Sequence, residues 1–525
     1  MVCSGHYLAS LAGMQTLQAG GNAVDAAIAT AAALGLVEPH MSGPGGDGFL
    51  MIHWAERGEV RCVNGAGPAP SRATRALFQA GIPYKGIRSV SVPGLVGAWT
   101  AAHEAYGTLP LETVFAPARE IAEEGFPISP KLAAALAGEC ASGSPLLTHA
   151  PSTAVFAPEG RPLRAGEVCR NPDYARTLRR IAREGAAAFY QGPLAEAMLR
   201  LSREQDGLFE PEDLSGYRAF WQEPIRTRYR GWEVLEYPPP SSGHVLLQEL
   251  NLIEGFPIAA MGLLSPESIH LMAEAKKLAF ADRERYLADP DWVSVPLRRL
   301  LSKEYAAERV RLIHPERAAA DVSAGQVETA AETTCFCVAD RWGNAVCQLQ
   351  SIQSGFGSGL VVEGTGVLLN NRMTYWHLEE SHPDVLAPGK RVRHTMNPYM
   401  VRKDGRLALV GGTPGADTQV QTNLQVLSHV LDFGLSVQEA VEAPRWRHTQ
   451  DGTESEYPHA CEDELILEGR FPEATRAALA GKGHRLKIIG EWEAAGSEQM
   501  IRLDPDSGVM TGGSDPRRDG CALAW

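Results

Sequence analysis

The chain has 525 residues, 44% of them hydrophobic, and a formal charge of -14 at pH 7. Such a chain buries a large core and, on length alone, divides into roughly two to four domains. Its net negative field argues against nucleic acid or an anionic membrane as partner, since both would be repelled.

In chain order, residues 6 to 40 read as two helices parted by Gly20 and Gly21, with Asn22 as N-cap, Asp25 in capping-box spacing and Pro39 as the stop. The run Ala26 to Val37 is too short to span a bilayer and lacks signal-peptide flanks, so the chain reads as cytosolic, with export left open. "SGPGGDG" leads into "FLMIHW", a strand, and "SRATRALF" and "LAAALAGE" have the look of helices. Residues 105 to 310 are helix-rich, and the longest helix begins at the cap Ser265 with Glu267 in its first turn. Residues 314 to 332 are small and polar without apolar periodicity, which predicts an exposed linker. From Thr333 onward strands and glycine turns take over, followed by helices in "SVQEAVEA" and "FPEATRAALAGKG". The nine cysteines are scattered, and Cys335, Cys337 and Cys347 lie in apolar runs, so they read as buried thiols. Cys335 and Cys337 have no second ligand pair, which argues against zinc.

Two glycine-rich stretches resemble ligand-binding motifs. "GPGGDG", Gly43 to Gly48, matches a dinucleotide fingerprint, and with it a reading as an oxidoreductase, but a helix precedes it and a strand follows, the reverse of what the fingerprint requires. "GGTPG", Gly411 to Gly415, resembles a nucleophile elbow, yet Pro414 has no N–H to donate to an oxyanion. A turn that brings backbone amides close to a ligand suits it better.

The stretch "TTCFCVADRWGNAVCQLQS", Thr333 to Ser351, predicts a hairpin turning at Gly343 and Asn344. If Asp340 pairs with Asn344, Thr333 falls opposite Ser351 and two hydroxyls meet. A threonine that opens a strand just after an exposed linker can attack the preceding carbonyl and free its own α-amine. That amine titrates near 7.7 to 8.0, so it can take the hydroxyl proton without a histidine. Thr333 is then the nucleophile, the cut falls between Glu332 and Thr333, and Thr334 supplies a supporting hydroxyl.

With these residues in view the chain resembles the γ-glutamyltransferase superfamily of N-terminal-nucleophile hydrolases, over nearly its whole length. "GGNAVDAAIATAAALGLVEPHMSGPGGDGF", "TTCFCVADRWGNAV", "FGSGLVVEGTGVLLNNRM", "APRW" and "SDPRRDG" carry the resemblance. It implies an α+β, four-layer αββα sandwich made by a proenzyme that cuts itself into residues 1–332 and 333–525. The two pieces stay together, with a homodimer of the pair left open. It implies roles as well: Thr333 as nucleophile, Ser351 as its supporting hydroxyl, Gly415 and Ala416 as the oxyanion pair, and Gln353, Arg372, Tyr375, His394 and Thr395 at substrate-binding positions. A small amide is the implied substrate, with no cofactor, metal, nucleic acid or membrane involved.

The departures bear on substrate. Where glutamyl-specific members place an arginine for the α-carboxylate this chain has Ala66, and where they place an aspartate for the α-amine it has Tyr375. Arg372 stands for a usual glutamine, and His394 and Thr395 stand for paired serines. Side branches similar to cephalosporin acylases and oxamate amidohydrolases are expected to show such losses. Arg372, Arg391, Arg393 and His394 predict positive charge around the acyl group. The leading expectation is a self-processing threonine amide hydrolase; γ-glutamyl transfer or glutathione hydrolysis, and a processing-dead binding scaffold, are the alternatives.

Overall fold

Capping chemistry shapes the first elements as expected. The computed structural model describes residues 1–141, 143–319 and 333–525. Strand β1 (Val2–Ser4) leads into helices α1 (Tyr7–Gln18) and α2 (Ala23–Val37). Asn22 Oδ1 accepts the amides of Val24 and Asp25 at 2.9 and 3.0 Å, and Asp25 accepts the Asn22 amide at 3.0 Å, closing the box. Helix α2 is buried nearly all round, which its Ala, Ile and Leu content allows.

Strands β2 (Asp47–Trp54) and β3 (Glu59–Gly65) follow, then helix α3 (Leu95–Tyr106), strands β4 (Phe220–Gln222), β5 (Ile225–Tyr229) and β6 (Trp232–Glu236), and helices α4 (Gly243–Ile253) and α5 (Pro266–Tyr286). Ser265 caps α5 by accepting the Ser268 amide at 3.1 Å. "SRATRALF" is not a full helix: only Arg75–Phe78 turns, as a 3-10 segment. Its apolar anchors Ala73 and Phe78 are buried in one small cluster and lie five residues apart, off the three-to-four spacing of a helical face. Most of the expected linker, residues 320 to 332 with Glu332, lies outside the described residues.

The second part contributes strands β7 (Thr334–Ala339), β8 (Ala345–Ser351), β9 (Tyr399–Lys403) and β10 (Arg406–Gly412), helix α6 (Thr418–Leu431), and strands β11 (Gln499–Leu503), β12 (Met510–Ser514) and β13 (Cys521–Leu523). Two antiparallel sheets result, ordered β13-β1-β7-β8-β2-β3-β4 and β12-β11-β10-β9-β6-β5. Each sheet draws strands from both sides of the linker.

Strand alternation sorts the side chains into layers. Leu50, Ile52, Phe336, Val338 and Val346 pack outward against α1, α2 and α3. Phe49, Met51, Cys335, Cys337, Cys347 and Leu349 pack inward against Leu235, Met400, Val410 and Ile501 of the second sheet. Val234, Tyr399, Val401 and Leu409 face α4, α5 and α6 on the far side. The architecture is a four-layer αββα sandwich. Between the sheets a row of sulfur-bearing residues crosses five strands, Cys3 beside Cys337, Cys347, Met51 and Cys62. All nine cysteines are unbridged, as the scattered spacing predicted.

Candidate active site

The hairpin forms with the expected register. The Asp340 amide donates to the Asn344 carbonyl at 3.0 Å, Gly343 takes φ +85°, and the ladder runs from Ala339 opposite Ala345 to Thr334 opposite Gln350. One step further sets Thr333 level with Ser351. On its other side Ser351 pairs with Asp47, and one step past the pair Gly48–Gly65, Ala66 comes level with Asp47. Thr333, Ser351, Asp47 and Ala66 therefore form one row at the end of the inter-sheet layer, all but closed to solvent.

Thr334 does not belong to that row. Successive strand residues point to opposite faces, and the Thr334 hydroxyl donates to Glu38 Oε2 at 2.6 Å on the helix side. The expected supporting hydroxyl is thus directed away from Thr333. Burial pushes the Glu38 carboxyl up, while Arg518 and the Thr334 hydroxyl act the other way.

Ser351 Oγ accepts the Gln353 amide at 2.8 Å, and Gln353 sits at φ +87° with its Nε2 donating to Glu456 at 2.9 Å. The turn after β10 carries Gly415 at φ +120° and Ala416 at φ +47°. Their carbonyls accept the amides of Thr418 and Gln419 at 2.9 and 3.0 Å, while neither residue's own amide donates to any described residue. A left-handed alanine between a glycine and a helix start leaves two N–H groups available to a ligand, the geometry an oxyanion needs. Gly415 and Ala416 line a cleft with Tyr375, Arg447, Glu454 and Glu456.

Asp47 organises the remaining expected residues. It accepts the Gly67 amide at 3.0 Å and Arg372 Nε at 3.2 Å, and its Oδ2 lies 3.5 Å from His394 Nε2. The Arg372 guanidinium lies 4.7 Å from the Tyr375 ring centre and leaves Nη2 without a hydrogen bond. Burial first, then Arg372, lowers His394 to about 4, so the ring is neutral at pH 7. The Tyr375 hydroxyl is 3.5 Å from Thr395 Oγ1. Asp47 is the one charged residue inside "GPGGDG", at a position that the dinucleotide fingerprint leaves unspecified. The glycines there serve close packing instead: a Cβ on Gly46 would come within 2.2 Å of the Ser351 carbonyl oxygen. With strand β2 beginning at Asp47, the dinucleotide context is missing.

The expected ring of positive charge is not assembled. Arg391 pairs with Asp291 at 2.8 Å and lies over Phe220, and Arg393 is tied to Glu284. Arg372 is the guanidinium that reaches Asp47, which offsets most of its charge. Ala66 is fully buried and offers no anchor. The "APRW" and "SDPRRDG" motifs meet each other: Arg445 pairs with Asp515, and Arg517 with Glu468 at 2.7 Å, a buried network that ties the C-terminal segment to the middle of the second part.

The four-layer αββα sandwich is the fold expected of an N-terminal-nucleophile hydrolase. The Gamma-glutamyltranspeptidase family profile matches residues 9–525. The chain is 36% identical to the Glutathione hydrolase-like YwrD proenzyme of Bacillus subtilis (strain 168), covering all of this chain and 98% of that protein. It is 39% identical to the Acylase ACY 1 proenzyme of Pseudomonas sp. (strain SE83), covering 100% and 93%. The crystal structure of cephalosporin acylase from Bacillus halodurans superposes with a TM-score of 0.91 at 38% identity, covering 100% of this chain and 95% of that one. The chain belongs to the γ-glutamyltranspeptidase family.

Proposed function

We propose that the protein is made as a proenzyme, cuts itself between Glu332 and Thr333, and then hydrolyses small acyl amides through an ester on Thr333. The row that sets Thr333 beside Ser351 carries this reading. The proenzyme names of both relatives support it. In the cut enzyme Thr333 Oγ attacks the amide carbon while the residue's α-amine takes the hydroxyl proton. The amides of Gly415 and Ala416 hold the oxyanion, and the α-ammonium returns its proton to the departing amine. Water then attacks the ester by the same route and releases the acid. The two pieces remain one sandwich.

For the acyl group, the neutral Tyr375 and buried Ala66 remove both partners of an α-amino-acid head, while Arg372 keeps one unpaired donor. An acyl chain ending in a carboxylate but lacking an amine suits that arrangement, as in glutaryl or oxalyl amides. γ-Glutamyl transfer is the second reading, favoured by the relatives named glutathione hydrolase. Intact mass and N-terminal sequencing of the purified protein test the scheme: two fragments are expected, the smaller starting at Thr333, and a fragment starting elsewhere overturns it. Among the described residues no helix is long and apolar enough to cross a membrane.

A further inference from the structure

The oxyanion turn holds a strained shape that its own bonds do not explain. Ala416 is left-handed without being glycine, a conformation that persists when the surroundings over-determine it. The next residue, Asp417, stands at the N-cap of α6 yet makes no side-chain cap to its own helix. Its carboxylate accepts the amide and hydroxyl of Ser455, each at 2.7 Å, and the guanidinium of Arg283.

Arg283 projects from α5, is fully buried, and lies over the Phe280 ring at 4.2 Å. Its planar fork serves three partners. Nη1 donates to Asp417, Nη2 to the Thr453 carbonyl, and Nε and Nη2 to Glu284 Oε1 at 3.1 and 2.9 Å. One side chain thus ties the oxyanion turn to the 453–456 segment, whose Glu454 and Glu456 line the same cleft. Glu284 is the anchor behind it. Its second oxygen takes Arg393, and it faces His382 Nε2 at 3.6 Å and His377 Nε2 at 4.0 Å, in a stack of three rings completed by His459. That group is not arranged for a metal: His382 Nδ1 accepts the Asp384 amide at 3.1 Å, so in the neutral ring Nε2 carries the proton toward Glu284. The charges of Asp417, Arg283, Glu284 and Arg393 alternate, so removing Arg283 takes the ionic partner from Asp417, and removing Glu284 takes it from Arg393.

We infer that Arg283, backed by Glu284, is a positioning residue for the oxyanion turn: it touches no reacting atom and sets where the Gly415 and Ala416 amides stand. This rests on the oxyanion role proposed for that pair. A lysine cannot replace it, because one ammonium cannot span the three partners of a planar fork.

The test uses fully processed Arg283→Lys and Arg283→Met enzymes. The expected result is a kcat lower by about tenfold to a hundredfold, the loss that a shift of roughly 1 Å in a catalytic group produces, with KM within about threefold. Affinity for a boronic acid whose adduct with Thr333 is tetrahedral should fall in step with kcat/KM, and guanidinium ions should restore part of the Arg283→Met activity. A kcat within twofold of wild type in both variants, or equal losses for the boronic acid and for a substrate-like amide inhibitor, overturns the inference. Should Arg283→Met not accumulate, Glu284→Gln carries the same comparison. An ester in place of the Ala416 amide tests the underlying reading separately. If the ester leaves kcat unchanged, the oxyanion assignment falls; if the ester lowers kcat and the Arg283 variants do not, only the positioning role falls.

Discussion

The Thr334 hydroxyl donates to the Glu38 carboxylate across 2.6 Å, on the face of the sheet that Thr333 does not share. Side by side in sequence, the two threonines serve different layers. Thr334→Val should therefore cost stability and spare chemistry. It leaves a buried carboxyl short of a donor, which costs about 1 to 3 kcal/mol, while kcat of the folded, processed protein stays within about threefold. A variant that folds normally and loses turnover would place Thr334 in the reaction after all.

Thr333→Ala should remain one chain of full length and show no hydrolysis, because cleavage and turnover draw on the same hydroxyl. Thr333→Ser keeps that hydroxyl and should retain slow processing. Denaturing electrophoresis over a time course reads both outcomes, and cleavage of the alanine variant would assign the nucleophile elsewhere.

Ser351→Ala is expected to slow turnover more than it lowers Tm. Its hydroxyl accepts the Gln353 amide at 2.8 Å and stands beside Thr333 in the row, and one hydrogen bond is worth about 0.5 to 1.5 kcal/mol, more where charge develops. A collapsed Tm with unaltered kcat in the folded fraction contradicts the assignment.

A glutaryl or oxamate-type amide should be cleaved with higher kcat/KM than the matching γ-glutamyl amide, by tenfold or more, since an unpaired ammonium or carboxylate readily costs about 1.4 kcal/mol. Arg372→Gln should narrow the gap by removing the donor that carries the unpaired Nη2. If the γ-glutamyl amide proves better, glutathione-type chemistry becomes the leading reading.

Glu249 on α4 has both carboxyl oxygens buried without a hydrogen bond, and burial pushes it from 4.5 up to about 8 against the pull of Lys276 and Arg283. A folded-state value above the unfolded one means that its contribution to stability is complete below about pH 4.5 and is lost as pH rises through about 8. Glu249→Gln removes that slope. The Tm difference, variant minus wild type, should climb between pH 5 and pH 8.5 by an amount equivalent to about 1 to 3 kcal/mol, and a flat difference refutes the assignment.

Local chemistry was legible in the sequence where partners lie a few residues apart. The Asn22–Asp25 box, the Ser265 cap and the hairpin register all depend on short spacings, and each formed as read. Period two also separates Thr333 from Thr334, since neighbouring strand residues point to opposite faces. Arg391 and Arg393 were misread as substrate-facing because their partners, Asp291 and Glu284, come from roughly a hundred residues away. Asp47 was missed for a similar reason. Its importance comes from strands β2 and β8 lying side by side, which no spacing in the chain records.

Both sheets join strands from either side of residue 332, β1 against β7 and β2 against β8 in one, β6 against β9 in the other. The proposed cut between Glu332 and Thr333 would leave these pairings of the described residues in place, but it would change how the molecule can form again. Renaturation of the intact chain is first order. Once the cut is made it becomes a meeting of two polypeptides, neither of which can complete a sheet alone, so yield should fall on dilution and the mature enzyme should persist through the slowness of its unfolding, not through ready reassembly.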